Sequence, residues 1–193
     1  MPQAHPPDEE LVAQARRGDD AAFGALVRRH QDGLFNGICR MVGRREDAED
    51  LAQEVFVKAY RHIARFEGRS SFYTWVYSIA VNVVISHRRK QSTRRRQSTV
   101  SLDAIVGDDG PFEVMDDAAG PDRVSQQHEV GERIEQAIAQ LEDDQRDIVV
   151  LRDIEGFSYE EIGELLGLPQ GTVKSRLHRA RLALREQLED LVG

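Results

Sequence analysis

The chain has 193 residues, 40% hydrophobic and 31% charged, so it carries enough apolar material for a folded core and is not a wholly disordered protein. Its length predicts one or two small domains. The net charge of −8 excludes a protein that coats nucleic acid through bulk positive charge, although a local basic patch remains open. The single cysteine, Cys39, excludes a disulfide framework or a cysteine-based zinc site and favours a reducing cytoplasm.

Apolar spacing predicts helices along the first part of the chain. Two short amphipathic helices are predicted on either side of Gly18, the second of them capped by Asp19 or Asp20. Apolar residues then recur at three- and four-residue steps, which predicts a helix of about 17 residues capped near Asp47. The exposed side of that helix mixes polar and apolar groups: Asp50, Gln53, Glu54, Val57, Lys58 and Arg61. The pattern favours a partner-binding face and a plain solvated face equally.

The next predicted helix is capped by Ser70 or Ser71 and runs to about Lys90. Residues 70–87 hold no charged side chain, but their repeated hydroxyl and amide groups argue against a membrane span. Four of these groups lie four residues apart and therefore on one face: Thr74, Ser78, Asn82 and Ser86. Uncharged hydrogen-bonding groups beside aromatic residues and followed by basic ones suit splayed nucleic-acid bases next to a phosphate backbone. The alternative is that the aromatic residues are core, and for Trp75 both interpretations stay open.

Residues 91–126 are predicted to be a linker, because Gly, Pro, Ser and clustered charge replace apolar periodicity there. Charge is sharply segregated: residues 85–100 hold six basic and no acidic residues, whereas residues 101–122 hold seven acidic and no basic ones. The predicted domains therefore span residues 1–90 and 127–193. Two further helices follow the linker, and no strand pattern competes, so the predicted class is all-α.

The strongest motif is a predicted helix-turn-helix from Ser158 to Arg181. Ser158 and Glu161 match a capping box, Gly167 suits a left-handed helix end, and Pro169 suits the start of a second helix. Gly163 is small where the second helix would cross closely. Val173 and Leu177 are predicted to face inward, which leaves six side chains outside: Thr172, Lys174, Ser175, Arg176, His178 and Arg179.

Charge around this motif favours DNA binding. Residues 129–164 hold 12 acidic and three basic residues, whereas residues 170–185 hold five basic and no acidic ones. A helix with such a face fits the major groove, where arginine bonds guanine through two hydrogen bonds. The alternative is an αα-hairpin with a solvated basic face.

Three blocks together resemble bacterial RNA polymerase sigma factors of the extracytoplasmic-function (ECF) type, the small members of the sigma-70 family. Residues 47–60 resemble the core-polymerase-binding helix, residues 66–82 the promoter-melting and −10 recognition segment, and residues 158–181 the −35 reader. The blocks occur in the family's order. The resemblance implies an all-α fold in which a region 2 helical bundle and a region 4 helix-turn-helix are joined by a flexible linker.

The resemblance also implies residue roles. The implied contacts with the β′ clamp helices of core polymerase are Asp50, Gln53, Glu54, Phe56 and Lys58, and the β flap is a further implied polymerase contact. The implied −10 residues are Phe66, Ser71, Phe72, Tyr73, Trp75, Asn82, Arg88, Arg89 and Lys90. In that set Asn82 and the loop 66–72 capture a flipped base, while the basic residues hold phosphate. Ser175, Arg176 and Arg179 would read the −35 element, with Thr172 beside them and Lys174 and His178 on the DNA backbone.

The implied function is promoter selection and strand opening, with no catalysis and no cofactor. Promoter DNA, core polymerase and an anti-sigma factor are the implied partners, and the implied location is the cytoplasm, in some relatives at a membrane-bound anti-sigma factor. A stand-alone helix-turn-helix regulator is the main alternative, although no dimerisation seam or ligand pocket is evident. An enzyme is poorly supported, because no phosphate-binding Gly-rich loop and no metal-spaced histidine pair occur, and Cys39 sits among apolar residues.

Overall fold

The computed structural model describes residues 6–98 and 121–189. Within those two ranges the regular structure is entirely helical, which confirms the predicted class. The first range contains α1 (Asp8–Ala15), α2 (Asp20–Val42), α3 (Arg45–His62), a 3-10 turn (Ile63–Arg65) and α4 (Phe72–Ser98). The second contains α5 (Pro121–Gln140), α6 (Asp143–Val149), a π-helical turn (Val150–Ile154), α7 (Tyr159–Leu166) and α8 (Gln170–Gln187).

The chain divides into two compact units. The first joins residues 1–38 and 46–99, and the second joins residues 39–45 and 100–193. In the first unit the core is built from α2, α3 and α4, with side chains such as Leu26, Val55 and Tyr77 fully buried. In the second unit α8 packs against α6 and α7, and Ile148, Ile162 and Leu177 are buried between them.

Helix starts follow the predicted caps. Asp19 Oδ1 accepts hydrogen bonds from the backbone N–H groups of Ala21 and Ala22, at 2.9 and 3.1 Å, and so starts α2. Ser71 Oγ accepts from the Thr74 N–H at 3.0 Å and starts α4. The break around Gly18 is therefore confirmed, but the second helix is long rather than short, because apolar residues continue to Met41 and keep one side buried.

Three predicted boundaries differ from those observed. Helix α3 begins at Arg45, two residues before the predicted cap at Asp47. Helix α4 continues past Lys90 to Ser98, and α5 begins at Pro121, so residues 91–98 and 121–126 of the predicted linker are helical. Residues 99–120 of that linker lie outside the described residues. Arginine and glutamine, which dominate residues 91–98, are good helix formers, so a helix that is already packed extends through them.

Candidate functional site

Helix α3 presents a polar face whose opposite side is anchored in the core. Asp50, Gln53 and Glu54 are exposed and Phe56 and Lys58 are half-buried, so all five predicted partner-binding residues reach the surface to some degree. Leu51, Val55 and Ala59 face inward and hold the helix in place. Lys58 Nζ donates a hydrogen bond to Glu54 Oε1 at 2.7 Å, and this bond lowers the pKa of Glu54 below its ordinary value of 4.5.

The same helix exposes apolar surface that the sequence prediction only partly identified. Val57 is 44% exposed and Tyr60 is 49% exposed, although tyrosine and valine usually favour burial. The Tyr60 hydroxyl donates to Asp20 Oδ1 at 2.6 Å, which raises the pKa of Tyr60, and its ring meets Phe23 edge-on at 5.2 Å. Neither Val57 nor Tyr60 belongs to the predicted set of core-polymerase contacts, because their exposure depends on how α3 packs.

Aromatic rings cluster where the 3-10 turn leads into α4. Phe66 and Phe72 are only 6% and 2% exposed, so both rings lie in the core, and their place in the implied −10 set stays a prediction. Phe66 instead stacks on Trp75 with 4.8 Å between ring centroids, and Phe72 lies edge-on to Phe66 and Phe23. The two phenylalanines form a buried floor beneath the ring of Trp75, which is half-buried and keeps part of its surface open.

Tyr73 is the second half-buried ring beside this floor. Its ring lies 5.5 Å from His30 and 5.7 Å from Tyr77. A Cβ placed on Gly33 would lie 3.3 Å from the Tyr73 hydroxyl oxygen, so the glycine provides the room in which this ring lies against α2. Asp8 of α1 in turn pairs with His30, whose Nε2 lies 2.6 Å from the carboxylate, so the first helix supports the position of Tyr73.

The predicted polar stripe follows one side of α4. Ser71 Oγ lies 2.8 Å from Thr74 Oγ1, and Ser78 Oγ donates to the Trp75 carbonyl at 2.6 Å. Asn82 is exposed, and its amide donates to the Ser78 carbonyl at 2.8 Å. Ser86 is exposed farther along. The stripe therefore lies at the surface of the helix that also carries the half-buried rings of Trp75 and Tyr73.

Basic residues continue along α4 beyond the stripe. Arg89, Lys90 and Arg94 are exposed and Arg88 is half-buried. Because α4 extends to Ser98, this run lies on regular helix rather than in a linker. Several cations on one helix suit contacts with a phosphate backbone.

The helix-turn-helix forms as predicted. The Ser158 side chain accepts from the Glu161 N–H at 3.2 Å and the Glu161 carboxylate accepts from the Ser158 N–H at 2.8 Å, which completes the capping box. Gly167 has φ of +64° and ends α7 in a left-handed conformation. A Cβ on Gly163 would lie 2.8 Å from the Leu168 carbonyl oxygen, so the glycine accommodates the backbone of the turn rather than the second helix.

Helix α8 presents the predicted outer face. Lys174, Ser175, His178 and Arg179 are exposed, while Thr172 and Arg176 are half-buried. Val173, Leu177 and Ala180 face inward and fix the rotation of the helix. Three cationic side chains of α8 contact an acidic or an aromatic side chain of another element.

These supporting side chains were not predicted. Arg176 Nη1 lies 3.1 Å from Asp144 Oδ2. Arg181 donates through Nε at 3.0 Å and through Nη2 at 2.5 Å to the Asp153 carboxylate, and the hydrogen bond raises the pKa of Arg181. Lys174 Nζ lies 5.5 Å from the centre of the Tyr159 ring, where a cation is attracted to the aromatic face. The partners lie far apart in sequence, so no local spacing reveals them.

Within residues 6–98 and 121–189 no group of three or more His, Cys, Asp or Glu side chains is arranged to hold a metal ion. No helix in those ranges combines the length and apolar character needed to cross a bilayer. Cys39 is buried, as its apolar neighbours predicted.

Comparison with known proteins matches both parts of the chain. Residues 26–94 match the family model described as Sigma-70 region 2, and residues 131–184 match the one described as Sigma-70, region 4. The RNA polymerase sigma-H factor of Pseudomonas aeruginosa is 38% identical over 185 residues, which cover 96% of this chain and 95% of that protein. The ECF RNA polymerase sigma factor SigW of Bacillus subtilis is 38% identical over 187 residues, covering 95% and 97%.

A solved structure shows the same architecture. The sigma factor RpoE from Bartonella quintana, crystallised with the anti-sigma factor NepR, superposes with a TM-score of 0.66 at 27% identity. The match covers 86% of this chain and 96% of that one.

Proposed function

The chain belongs to the ECF group of the sigma-70 family of RNA polymerase sigma factors, and from this we propose how its surfaces divide the work of transcription initiation. It is an alternative sigma factor, which binds core RNA polymerase, directs it to promoters and helps to open the DNA. The observation that carries the assignment is the pairing of regions 2 and 4, in family order, on one chain.

The polar face of α3 is the proposed contact with the β′ clamp helices. It combines exposed Asp50, Gln53 and Glu54 with the half-buried Phe56 and Lys58, and it adds the exposed apolar surfaces of Val57 and Tyr60. Apolar area of this kind, surrounded by polar groups, is typical of a protein interface. Because the helix is anchored through its buried side, the surface is already formed before the polymerase binds. The region 4 unit supplies the contact with the β flap.

The stripe on α4 and the rings beside it are the proposed −10 reader. Extruding a base from the duplex costs a few kcal/mol. Stacking a base on an aromatic ring returns roughly 1–3 kcal/mol, and the half-open rings of Trp75 and Tyr73 are placed for this. Asn82 and Ser71 supply hydrogen-bonding groups, Phe66 and Phe72 support the rings from below, and the basic run Arg88, Arg89 and Lys90 holds phosphate.

Helix α8 is the proposed −35 reader. Its basic outer face enters the major groove, where Ser175, Arg176 and Arg179 meet base edges. Lys174, His178 and Thr172 contact the sugar-phosphate backbone and fix the register. DNA binding explains why positive charge is concentrated on this one helix of an acidic chain. The alternative, an αα-hairpin with a solvated face, does not explain that concentration of charge.

Regulation by an anti-sigma factor is the remaining part of the proposal. RpoE of Bartonella quintana was solved in complex with such a protein, NepR, and this chain shares its fold over most of its length. The α3 surface that binds polymerase is the kind of partly apolar surface that an inhibitor would cover. The chain acts in the cytoplasm with core polymerase, and the phosphodiester chemistry belongs to the polymerase alone.

Run-off transcription tests this function. Purified core polymerase is supplied with wild-type chain, with Asp50→Ala or with Arg185→Ala, on promoters from the same genome. Wild type should produce promoter-specific transcripts, and Asp50→Ala should lower both transcript yield and core binding. Arg185→Ala removes an exposed charge from the last turn of α8 and should leave both unchanged. A chain that is folded but neither binds core polymerase nor stimulates transcription would favour the stand-alone regulator.

A further inference from the structure

A carboxylate from another helix holds one of the arginines on the reading face of α8. Helix α6 packs against α8, and Asp144 lies in the first turn of α6. Its Oδ2 atom lies 3.1 Å from Arg176 Nη1. The side chain of Arg176 is 28% exposed and that of Asp144 is 47% exposed, so the pair lies at the surface and not in the core.

The neighbouring cations on this face are held differently. Lys174 lies over the ring of Tyr159, which attracts a cation without fixing its hydrogen bonds. Arg179 is exposed and, in the part of the chain that the structure describes, no carboxylate pairs with it. Of the two arginines proposed to read bases, Arg176 is therefore the one that pairs with a carboxylate of a second helix.

We propose that Asp144 is a positioning residue for −35 recognition, which restricts the Arg176 side chain before DNA binds; this rests on the proposed function. A free arginine loses much rotamer entropy when it forms two hydrogen bonds with a guanine. A carboxylate that already restricts the side chain reduces that loss. The guanidinium has five N–H donors, so pairing through Nη1 leaves others for a base edge.

The competing account is purely electrostatic. A carboxylate near the DNA repels phosphates, and removing it would strengthen binding to every sequence alike. If Asp144 positions Arg176, substituting Asp144 changes base preference only at the position that Arg176 reads. The substitution then has no effect on base preference when Arg176 is absent. A double-mutant cycle separates the two accounts.

The cycle uses holoenzyme made from core polymerase and full-length chain, with promoter fragments randomised in the −35 element as the probe. The variants are Asp144→Asn, Arg176→Ala and the double substitution. Asp143→Asn is the matched control. It removes the same charge from the neighbouring residue, whose carboxylate pairs with Arg146. Asp144→Glu tests rescue by a longer carboxylate. Thermal unfolding of each variant checks that the domain remains folded.

Arg176→Ala should reduce base preference at one position by about 5- to 150-fold, the range for loss of a bidentate contact. Asp144→Asn should reduce preference at that same position about two- to fivefold, in line with a partly exposed ion pair. It should have no effect in the Arg176→Ala background. Asp144→Glu should restore part of the preference, and Asp143→Asn should match wild type.

Two results would overturn the proposal. One is a change in binding by Asp144→Asn that is equal for all promoter sequences, or equal with and without Arg176. That result would show that the carboxylate acts only by repelling DNA phosphates. The other is base preference identical to wild type in Asp144→Asn. Failure of the proposed function looks different, because wild-type holoenzyme would then select no promoter sequence at all.

Discussion

Gly163→Ala offers a direct test of how the turn of the helix-turn-helix is built. A Cβ at this position would lie 2.8 Å from the Leu168 carbonyl oxygen, closer than such atoms normally approach. That oxygen belongs to backbone, and the same turn carries the bond from the Leu168 N–H to the Gly163 carbonyl at 2.8 Å. The left-handed Gly167 lies between them, so the turn has little freedom to move away.

Opposing effects determine how much Gly163→Ala changes the stability of the region 4 unit. Alanine is a better helix former than glycine by about 1 kcal/mol in a helix interior. Overpacking costs roughly 1–3 kcal/mol, and weakening a turn hydrogen bond adds about 0.5–1.5 kcal/mol. The net expectation is a loss of about 1–3 kcal/mol in the stability of the region 4 unit. Gly171→Ala is the matched control, because a Cβ there meets nothing within 4 Å and the propensity gain stands alone.

Hydrogen exchange on the full-length chain, followed by mass spectrometry, measures the effect within one unit. Gly163→Ala should accelerate exchange of the most protected α8 amides by about 5- to 150-fold, since each 1.4 kcal/mol is tenfold. Gly171→Ala should slow the same amides, and α3 amides should be unchanged in both variants. Exchange in Gly163→Ala that equals or is slower than wild type would show that the turn accommodates a Cβ at residue 163.

Three further outcomes follow from the structure. Asn82→Ala should abolish strand opening, seen by permanganate reactivity, with less than about 0.5 kcal/mol change in stability because the side chain is exposed; normal opening would contradict its role. Ser158→Ala should destabilise α7 by about 1 kcal/mol in hydrogen exchange, whereas Ser158→Asp should largely preserve the cap; equal losses would show that the cap does not matter. Lys58→Met should raise the pKa of Glu54 toward 4.5 in an NMR titration. Because the pKa of Glu54 is lowered in the folded chain, the Lys58–Glu54 pair stabilises the folded chain above pH 4.5. This stabilisation is lost as the pH falls through the lowered pKa. Its size stays below about 1 kcal/mol because the pair is exposed. An unchanged pKa would contradict the assigned cause.

Local signals in the sequence predicted the local parts of the fold. Asp19, Ser71 and the Ser158–Glu161 box start helices because capping depends on side chains within three residues of the backbone groups they bond. Gly167 ends α7 because glycine adopts the left-handed conformation without steric cost. Each of these devices acts over one turn of chain, so its residues are visible as a short motif.

Tertiary context determined what the motifs did not show. The sequence around Phe66 and Phe72 does not distinguish rings that contact a base from rings that pack against Trp75, and only the packing of α2, α3 and α4 places them in the core. The pairing of Arg176 with Asp144 depends on how α6 crosses α8. The end of α4 lies beyond the predicted one because residues 91–98, rich in Arg and Gln, continue the helix without an apolar period.

Sequencing of promoters selected by the holoenzyme shows whether one chain carries two separate DNA-reading surfaces. Wild-type chain with core polymerase should select two conserved blocks at a fixed separation from a randomised promoter pool. Asn82→Ala should reduce sequence enrichment only in the downstream block, and Arg176→Ala should reduce it only in the upstream block. Selection of a single block, or loss of both blocks from either substitution in a folded chain, would contradict the account.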